Sequence, residues 1–185
     1  AQTRWSPVSF APARNAPNWS FGVPITYDTV RSEVLVVHIE DPTTSLAWSV
    51  WAFDGSDWTR RPSINAPTLN FWSSAAFDSI RGRLIVGDSS TLPTRMWEWD
   101  GAVWSRRIPS RAPRQPWMVF DPIRNLTVGI SSDPVTWEWD GTDWRSIPAA
   151  PPFPTGNMAF DIARGRVVAF TRTAELWDWD GATWT

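Results

Sequence analysis

The residues that could carry chemistry are few and scattered along the chain. His38 is the only histidine, Tyr27 is the only tyrosine, and cysteine is absent, which excludes disulfides, thiolate metal sites and a cysteine nucleophile. Asp41, Asp88 and Asp133 each follow a predicted strand and could converge on an ion, but they lack the spacing of a calcium-binding loop. His38 is expected to be a buried or hydrogen-bonded structural histidine. We therefore expect no catalytic residue, no metal site and no cofactor.

Tryptophan is the residue type best suited to contact a ligand, and the chain has 16. Apart from Trp5, whose segment resembles those that follow the hairpin turns, four of them fall outside the repeated motifs: Trp19, Trp48, Trp72 and Trp117. Exposed indoles could form an aromatic platform for a sugar or a hot spot for a protein. The alternative is that they cap an aromatic core where loops fold over it. The candidate binding residues are Trp19, Trp48, Trp72, Trp117, His38, Asp88, Asp133 and Arg172.

One motif of the form W-x-W-D-G-x-x-W occurs at 97–104, with variants at 51–58, 137–144 and 177–184. Asp-Gly between aromatic runs predicts a two-residue type I′ hairpin with positive φ at both central positions. In that register Trp97 pairs with Trp104, and the three indoles of the motif share one face. This face must be buried, and we expect it to pack against the next copy. The structural residues of the two central copies are Trp97, Trp99, Gly101, Trp104, Trp137, Trp139, Gly141 and Trp144.

A second motif, aromatic-D-x-x-R followed by Gly, Asn or Ser, occurs at 27–32, 77–82, 120–125 and 160–165. Its Asp can hydrogen-bond its own turn, and the last residue tolerates the left-handed conformation, so each copy predicts a tight hairpin closed by an Asp–Arg pair. A short β-branched run follows each copy, as expected of a strand buried on both sides. Because the pair recurs in every unit, we assign it a structural role.

The two motifs divide the chain into four units of four strands, named A to D. The hairpin Gly lies at 55, 101, 141 and 181, in steps of 46, 40 and 40 residues, and such a period with four strands is typical of a β-propeller blade. We predict one all-β domain over 1–185. Its parts are an N-terminal closing strand at 1–12 and blades at about 20–62, 70–108, 114–148 and 155–185.

These motifs resemble those of the kelch-like β-propellers, especially bacterial ones, and the likeness covers nearly all of 20–185. The Gly-Gly pair that this family carries at the end of strand B is absent: Val37-His38, Gly87-Asp88, Ile130-Ser131 and Phe170-Thr171 stand there. The resemblance implies a propeller. Copper or sialidase chemistry of related propeller enzymes needs a Cys-linked Tyr or a Tyr nucleophile beside an Arg cluster, and neither fits this chain.

Closure of the ring has two solutions. In the favoured one the chain closes as a four-bladed monomer, with Arg4 to Phe10 lying at the edge of the fourth blade, whose own strand D is short. In the other, two chains form an eight-bladed ring and each N-terminal strand completes the last blade of the other chain.

The predicted function is a non-enzymatic protein-interaction or scaffold module, such as an accessory subunit of a larger assembly. The A–B and C–D turns repeat on one rim, whereas the B–C and D–A loops vary on the other, and function on a repeat scaffold usually lies where loops vary. The alternative is a carbohydrate-binding lectin that uses the rim tryptophans.

Seventeen basic against 19 acidic residues give no electrostatic footprint for nucleic acid. No apolar run is long enough for a membrane helix. The start at Ala1-Gln2 slightly favours a secreted or periplasmic protein.

Overall fold

The structure is a computed structural model, and it describes residues 23–41, 45–68, 74–88, 94–114, 116–133, 135–150, 155–171 and 173–185. All regular secondary structure in these residues is β-strand, which confirms the all-β prediction. The closing strand predicted at 1–12 lies outside the described residues.

The described strands form four antiparallel sheets, each a meander in chain order, and each sheet is one blade. Blade 1 contains β1 (Ile25–Asp28), β2 (Glu33–Asp41), β3 (Ser45–Phe53) and β4 (Trp58–Arg61). Blade 2 contains β5 (Ser74–Asp78), β6 (Arg83–Asp88), β7 (Arg95–Trp99) and β8 (Trp104–Arg107). Blade 3 contains β9 (Trp117–Asp121), β10 (Leu126–Ile130), β11 (Thr136–Trp139) and β12 (Trp144–Ile147). Blade 4 contains β13 (Thr155–Asp161), β14 (Arg166–Thr171) and β15 (Leu176–Trp179).

Blade 4 lacks the predicted strand D. A single bridge between Trp179 and Trp184 stands in place of strand D. Asp178 and Thr185 also exchange two backbone hydrogen bonds, of 2.8 and 3.0 Å. In the described residues, therefore, three blades have four strands and the fourth has three.

The Asp-Gly hairpins have a different register from the predicted one. Trp99 pairs with Trp104 and Trp97 with Arg106, a shift of two residues. Gly101 has a positive φ of 110°, whereas Asp100 caps the turn with its side chain, its Oδ1 accepting from the backbone N–H of Ala102 at 3.0 Å and of Val103 at 2.8 Å. The type I′ prediction was wrong because the Asp side chain bonds the turn N–H groups, which an Asx-type turn allows. A shift of two keeps every side chain on its face, so the shared aromatic face is retained.

The A–B turns form as predicted. In blade 1, Asp28 Oδ1 accepts from the backbone N–H of Val30 and Arg31, both at 2.9 Å, and Arg31 Nη1 donates to Asp28 Oδ2 at 2.7 Å. The last motif residue has a positive φ of 55 to 66° in every blade, which glycine accepts freely and Asn tolerates. These residues are Ser32, Gly82, Asn125 and Gly165.

Consecutive blades pack face to face. We call the side of a blade that bears the Trp-x-Trp indoles its aromatic face and the opposite side its aliphatic face. The aliphatic face of each blade packs on the aromatic face of the next, so that Leu35, Val37 and Val50 of blade 1 meet Trp99 and Trp104 of blade 2 in one buried cluster. Blades 2 and 3 share an equivalent cluster, as do blades 3 and 4. The core is thus a row of three interfaces between blades.

An arginine joins each of these interfaces at the turn rim. A Cβ placed on Gly101 of blade 2 would lie 2.9 Å from Nη2 of Arg31 in blade 1, so the guanidinium packs on the bare glycine. Arg81 approaches Gly141 in the same way, and Arg124 approaches Gly181. The A–B turn of each blade therefore contacts the C–D turn of the following blade.

The innermost strands contact one another in the order β1, β5, β9 and β13 and surround a common cavity. This is the arrangement of a four-bladed β-propeller. In the part of the chain that the structure describes, β13 and β1 have no contact as extensive as those between consecutive blades, and no buried cluster joins blade 4 to blade 1.

Candidate functional site

An axial cavity of about 340 Å³ lies among the described residues. All four A strands contribute to its wall, and none of its described lining residues is charged. The wall combines aromatic and thioether side chains with smaller aliphatic and hydroxyl residues. The aromatic and thioether members are Tyr27, Phe77, Met118, Phe120, Met158 and Phe160.

Strand A rather than strand B lines the cavity, so the absence of a Gly-Gly pair at the end of strand B leaves its wall unaffected. In each A strand the aromatic residue before the turn Asp reaches the wall, and Phe77 and Phe120 also belong to the buried interfaces between blades. The sequence motif identified these aromatics only as structural residues. Their second role depends on how the four strands converge.

One end of the cavity lies at the A–B turns. The residue after the turn Asp lines the cavity in each blade, as Thr29, Ser79, Pro122 and Ile162. Large aliphatic side chains of the same turns are exposed to solvent, namely Val30, Ile80, Ile123 and Ile162. We call these four side chains the turn-rim aliphatics. An apolar cavity bordered by exposed aliphatic groups is suited to apolar partners.

Beneath this rim lies a network of ion pairs that holds the turns in place. Arg81 Nε donates to Asp78 at 2.6 Å, and Arg81 Nη1 donates to the buried Glu98 at 2.8 Å. Glu98 also accepts from Arg107 at 2.9 Å. Burial disfavours the charge on Arg81, but its hydrogen bonds to Asp78 and Glu98 outweigh this effect and raise the pKa of Arg81. Because the arginine is permanently charged and its carboxylate partners are engaged, the network is suited to structure rather than to proton transfer.

Blade 3 repeats the network. Arg124 pairs with Asp121 at 2.8 Å and with Glu138, and Arg145 pairs with the second oxygen of Glu138 at 2.6 Å. Burial opposes the charge of Arg124, but the hydrogen bonds to Glu138 and Asp121 raise its pKa.

The carboxylates that cap the C–D turns are exposed and acidic. The pKa of Asp54 falls to about 2 because the backbone N–H of Asp57 donates to it, with further hydrogen bonds from the hydroxyl and the backbone N–H of Ser56. The backbone N–H groups of Thr183 and Ala182 likewise lower the pKa of Asp180. These groups stabilise turns and face solvent, so they show no arrangement for catalysis.

The candidate binding residues from the sequence are not brought together into one cluster. Trp48 is 3% exposed and packs in the interface between blades 1 and 2, so its indole presents no open face to a ligand and fits the core-capping alternative. Trp117, at the start of β9, is 38% exposed. Trp19, Trp72 and Arg172 lie outside the described residues.

The remaining candidates are polar residues near the ends of B strands. His38 and Asp88 are buried. Asp133 is half-buried and accepts a hydrogen bond from the hydroxyl of Ser131 at 3.0 Å, and its own backbone N–H donates to the same hydroxyl at 3.2 Å. Asp133 therefore closes a local turn.

The structural residues of the central hairpins occupy the interfaces between blades. Trp99, Trp104, Trp139 and Trp144 are buried, while Trp97 and Trp137 are half-buried and pack against the same clusters. Gly101 and Gly141 have positive φ and receive the arginine of the preceding blade.

The described part of the chain shows neither a metal-binding cluster nor a membrane-spanning helix. It contains no group of three or more His, Asp or Glu side chains that could hold a metal ion. It also contains no helix that is long and apolar enough to span a membrane.

Comparison with solved structures supports the propeller class that the four sheets and the axial cavity define. One chain in a crystal structure of a nidogen/laminin complex matches with a TM-score of 0.55 and 16% identity, over 85% of this chain and 60% of that chain. YCF48 from Cyanidioschyzon merolae matches with a TM-score of 0.53 and 14% identity, over 91% of this chain and 57% of that chain. The fold is therefore a β-propeller that resembles these two, and this chain spans less than two thirds of their length.

No protein-family model matches the chain, and no curated protein is detectably similar to it. At 14 and 16% identity the structural likeness concerns the fold alone.

Proposed function

We propose that this propeller is a non-enzymatic protein-interaction module that binds an apolar polypeptide segment at the turn-rim end of its axial cavity. The observation that carries the proposal is the uncharged cavity bordered by the turn-rim aliphatics Val30, Ile80, Ile123 and Ile162. Solvent-exposed aliphatic groups gathered around a concave apolar surface are a feature of recognition sites.

The size of the cavity agrees with such a ligand. At about 340 Å³ it lies at the lower end of the range of ligand pockets, roughly 300–1,000 Å³. A few apolar side chains fit this volume better than a large cofactor does. The surrounding aliphatics extend the contact beyond the cavity, as a polypeptide requires.

The comparisons are compatible with a binding role. One of the similar chains comes from a complex of nidogen with laminin, so a propeller of this general shape occurs in a protein complex. We further propose that the blades are of the kelch-like type, because both turn motifs recur in every blade. Binding through the variable B–C and D–A loops stays a prediction, since much of that rim lies outside the described residues.

The test is a selection of random peptides by phage display on the purified protein, followed by calorimetry with the enriched peptides. Burying two aliphatic side chains contributes about 1.5–3 kcal/mol each when it is complete. We therefore expect the double variant Ile80→Ser/Ile123→Ser to weaken binding at least about tenfold. The matched control is Ile108→Ser, another exposed aliphatic that follows β8 on the opposite rim.

The outcomes distinguish binding at the turn rim from binding at the variable rim. Loss of binding in the double variant with retention in Ile108→Ser supports the proposal. The opposite pattern would move the binding site to the variable rim, and failure to enrich any apolar peptide would contradict a polypeptide ligand.

Carbohydrate binding is a second candidate, and the exposure of Trp117 favours it. An indole with a free face can stack on the apolar side of a sugar ring. A glycan array probes this directly: we expect any sugar binding to be lost in Trp117→Ala, and binding that persists in that variant would exclude Trp117 as the platform.

A further inference from the structure

The innermost strand of each described blade turns one of its edges to the axial cavity. Each A strand is the first strand of its sheet and pairs only with the B strand of the same blade. In an antiparallel pair every second residue directs its N–H and C=O groups towards the neighbouring strand, and the residues between direct theirs away from it. Half of the backbone groups of each A strand therefore point away from strand B, to the side where the cavity lies.

The hydrogen bonds fix the phase of this alternation. In blade 1 the N–H of Val37 donates to the C=O of Pro24 at 3.1 Å. Pro24 lies four residues before the turn Asp28, and in blade 2 Ser74 lies four residues before the turn Asp78, in the same register. Residues an even number of positions before the turn Asp thus bond to strand B, and those an odd number before it direct their backbone groups to the axis.

Blade 3 shows a carbonyl of the odd set in use. Pro116 lies five residues before Asp121, and its C=O accepts a hydrogen bond from the hydroxyl of Ser74 in β5. This carbonyl therefore points away from β10 and towards the neighbouring innermost strand, as the alternation requires.

In β5 the odd residues are Ala75 and Phe77, and no described strand pairs with their edge. β5 also contributes small side chains to the wall, Ala75 and Ala76, where β9 has Met118 and Val119. A ligand can therefore approach the backbone of β5 closely. A strand edge presents donors and acceptors in alternation, and another extended backbone matches this pattern.

From this geometry we infer that the polypeptide segment bound at the turn rim continues into the cavity as an extended strand and pairs with Ala75 and Phe77 of β5. The inference rests on the proposed function and adds the manner of binding to it. Main-chain hydrogen bonds supply affinity, and the wall of the cavity selects the side chains.

The cavity also defines the chemistry of the segment. β5 has five residues, and a strand rises about 3.4 Å per residue, so the inserted part has about four or five residues. No charged side chain lines the described wall, and a charge in the inserted part would lose its hydration without gaining a partner. The partner is therefore a protein that offers a short, extended and uncharged segment.

The first experiment removes the N–H groups of the bound segment one at a time. The probe is the tightest peptide from the phage-display selection, synthesised in versions that each carry one N-methylated residue. Every second N–H of an extended segment faces the partner strand. We therefore expect calorimetry to show affinity losses of about tenfold or more at alternate residues, with little change at the residues between.

The second experiment removes the matching N–H group of the protein. Proline is tolerated in an edge strand where the N–H does not bond to the ladder, so circular dichroism should show that Ala75→Pro is folded. Its affinity for the unmethylated peptide should fall about tenfold or more. Ala75→Ser is the matched control, because it retains the N–H with a side chain of similar size, and its affinity should stay within about twofold.

Hydrogen exchange of the wild type gives a readout that needs no variant. The amides of Ala75 and Phe77 should exchange more slowly when the peptide is bound. The amide of Ala76 is the internal control, because it belongs to the set that already bonds to β6, and its exchange should change less.

The outcomes distinguish this inference from the proposed function. Alternating losses in the peptide series, together with weak binding to Ala75→Pro, support pairing with β5. If the peptide binds but no N-methylated version loses affinity, strand pairing is wrong and the peptide site at the turn rim stands. Alternating losses with normal binding to Ala75→Pro would show that β5 is not the paired strand. If the selection enriches no apolar peptide, both proposals fail.

Discussion

The contact between Trp144 and Gly129, both in blade 3, makes a sharp test of the packing on the aromatic face that blade 3 presents to blade 2. A Cβ placed on Gly129 would lie 2.9 Å from Cζ3 and 3.0 Å from Cη2 of Trp144. The indole is 3% exposed and packed in the cluster between blades 2 and 3, so it cannot swing aside freely. Alanine in a strand is normally favoured over glycine by roughly 0.5–1 kcal/mol. Here we expect Gly129→Ala to destabilise the protein instead, by about 1–3 kcal/mol.

Removing the indole should abolish the destabilising effect of Gly129→Ala. A buried tryptophan covers about 150–250 Å², which at about 25 cal/mol per Å² corresponds to roughly 4–6 kcal/mol. Residual burial in the unfolded chain reduces this figure, and Trp144→Ala should cost about 3–5 kcal/mol, the usual range for truncating a buried aromatic. In that background the nearest remaining neighbour of the new Cβ is Pro116 Cβ, at an ordinary 3.5 Å, so Gly129→Ala should be neutral or stabilising by up to about 1 kcal/mol.

The assay is a double-mutant cycle by urea denaturation, followed by tryptophan fluorescence and circular dichroism. We expect a coupling free energy of about 1–4 kcal/mol between the two sites. Gly87→Ala is the matched control, because its Cβ would find its nearest neighbour, Met118 Cε, at an ordinary 3.6 Å. If Gly129→Ala had the same effect with and without the indole, to within about 0.5 kcal/mol, the packing of Trp144 on Gly129 would be refuted.

Three further predictions concern the turns and the ion-pair network. Gly141→Val should lower the free energy of unfolding by at least about 2 kcal/mol, because valine resists positive φ and its side chain would overlap Arg81. In the control Gly55→Val only the positive φ is unfavourable, since no described atom lies near that Cβ position. Equal urea midpoints for the two variants would contradict the arginine contact. Glu98→Gln should destabilise by about 1–3 kcal/mol, since it weakens a buried carboxylate that accepts from two arginines; an unchanged melting temperature would show that the pairs contribute nothing. Because the folded pKa of Asp54 is lowered from 3.8 to about 2, its contribution is present above pH 3.8 and is lost as the pH falls towards 2. Asp54→Asn should flatten the fall in stability over that window, and an identical pH profile would argue against the cap.

Much of the fold could be predicted because its signals are local. The Asp of the A–B motif and the residue with positive φ after its Arg act within one turn, and the alternation of the Trp-x-Trp arm fixes which side chains share a face. The hairpin register could not be predicted in the same way. Asp100 can serve either as a loop residue with positive φ or as a side-chain cap, and only the geometry of the turn distinguishes these roles.

The candidate site was harder to predict, because exposure depends on packing over long distances. Trp48 and Trp117 are alike in being outside the repeats, yet one is buried between blades and the other is partly exposed. No separate sequence motif marks the axial cavity, because the interfaces between blades already account for Phe77 and Phe120. Convergence of four strands that are far apart in sequence creates it.

The two repeated motifs supply the two partners of one contact between blades, which explains why they occur together in each blade. The Arg of the A–B motif bonds its own turn Asp, and in blades 2 and 3 it also bonds the Glu between the two indoles of the C strand. It then reaches the Gly of the following hairpin, where Arg124 also lies 5.9 Å from the ring centre of Trp179. A side chain at that glycine would exclude the guanidinium, and loss of the Asp would release it. The interface therefore depends on residues about 60 positions apart, such as Arg81 and Gly141, through a contact that neither motif reveals by itself.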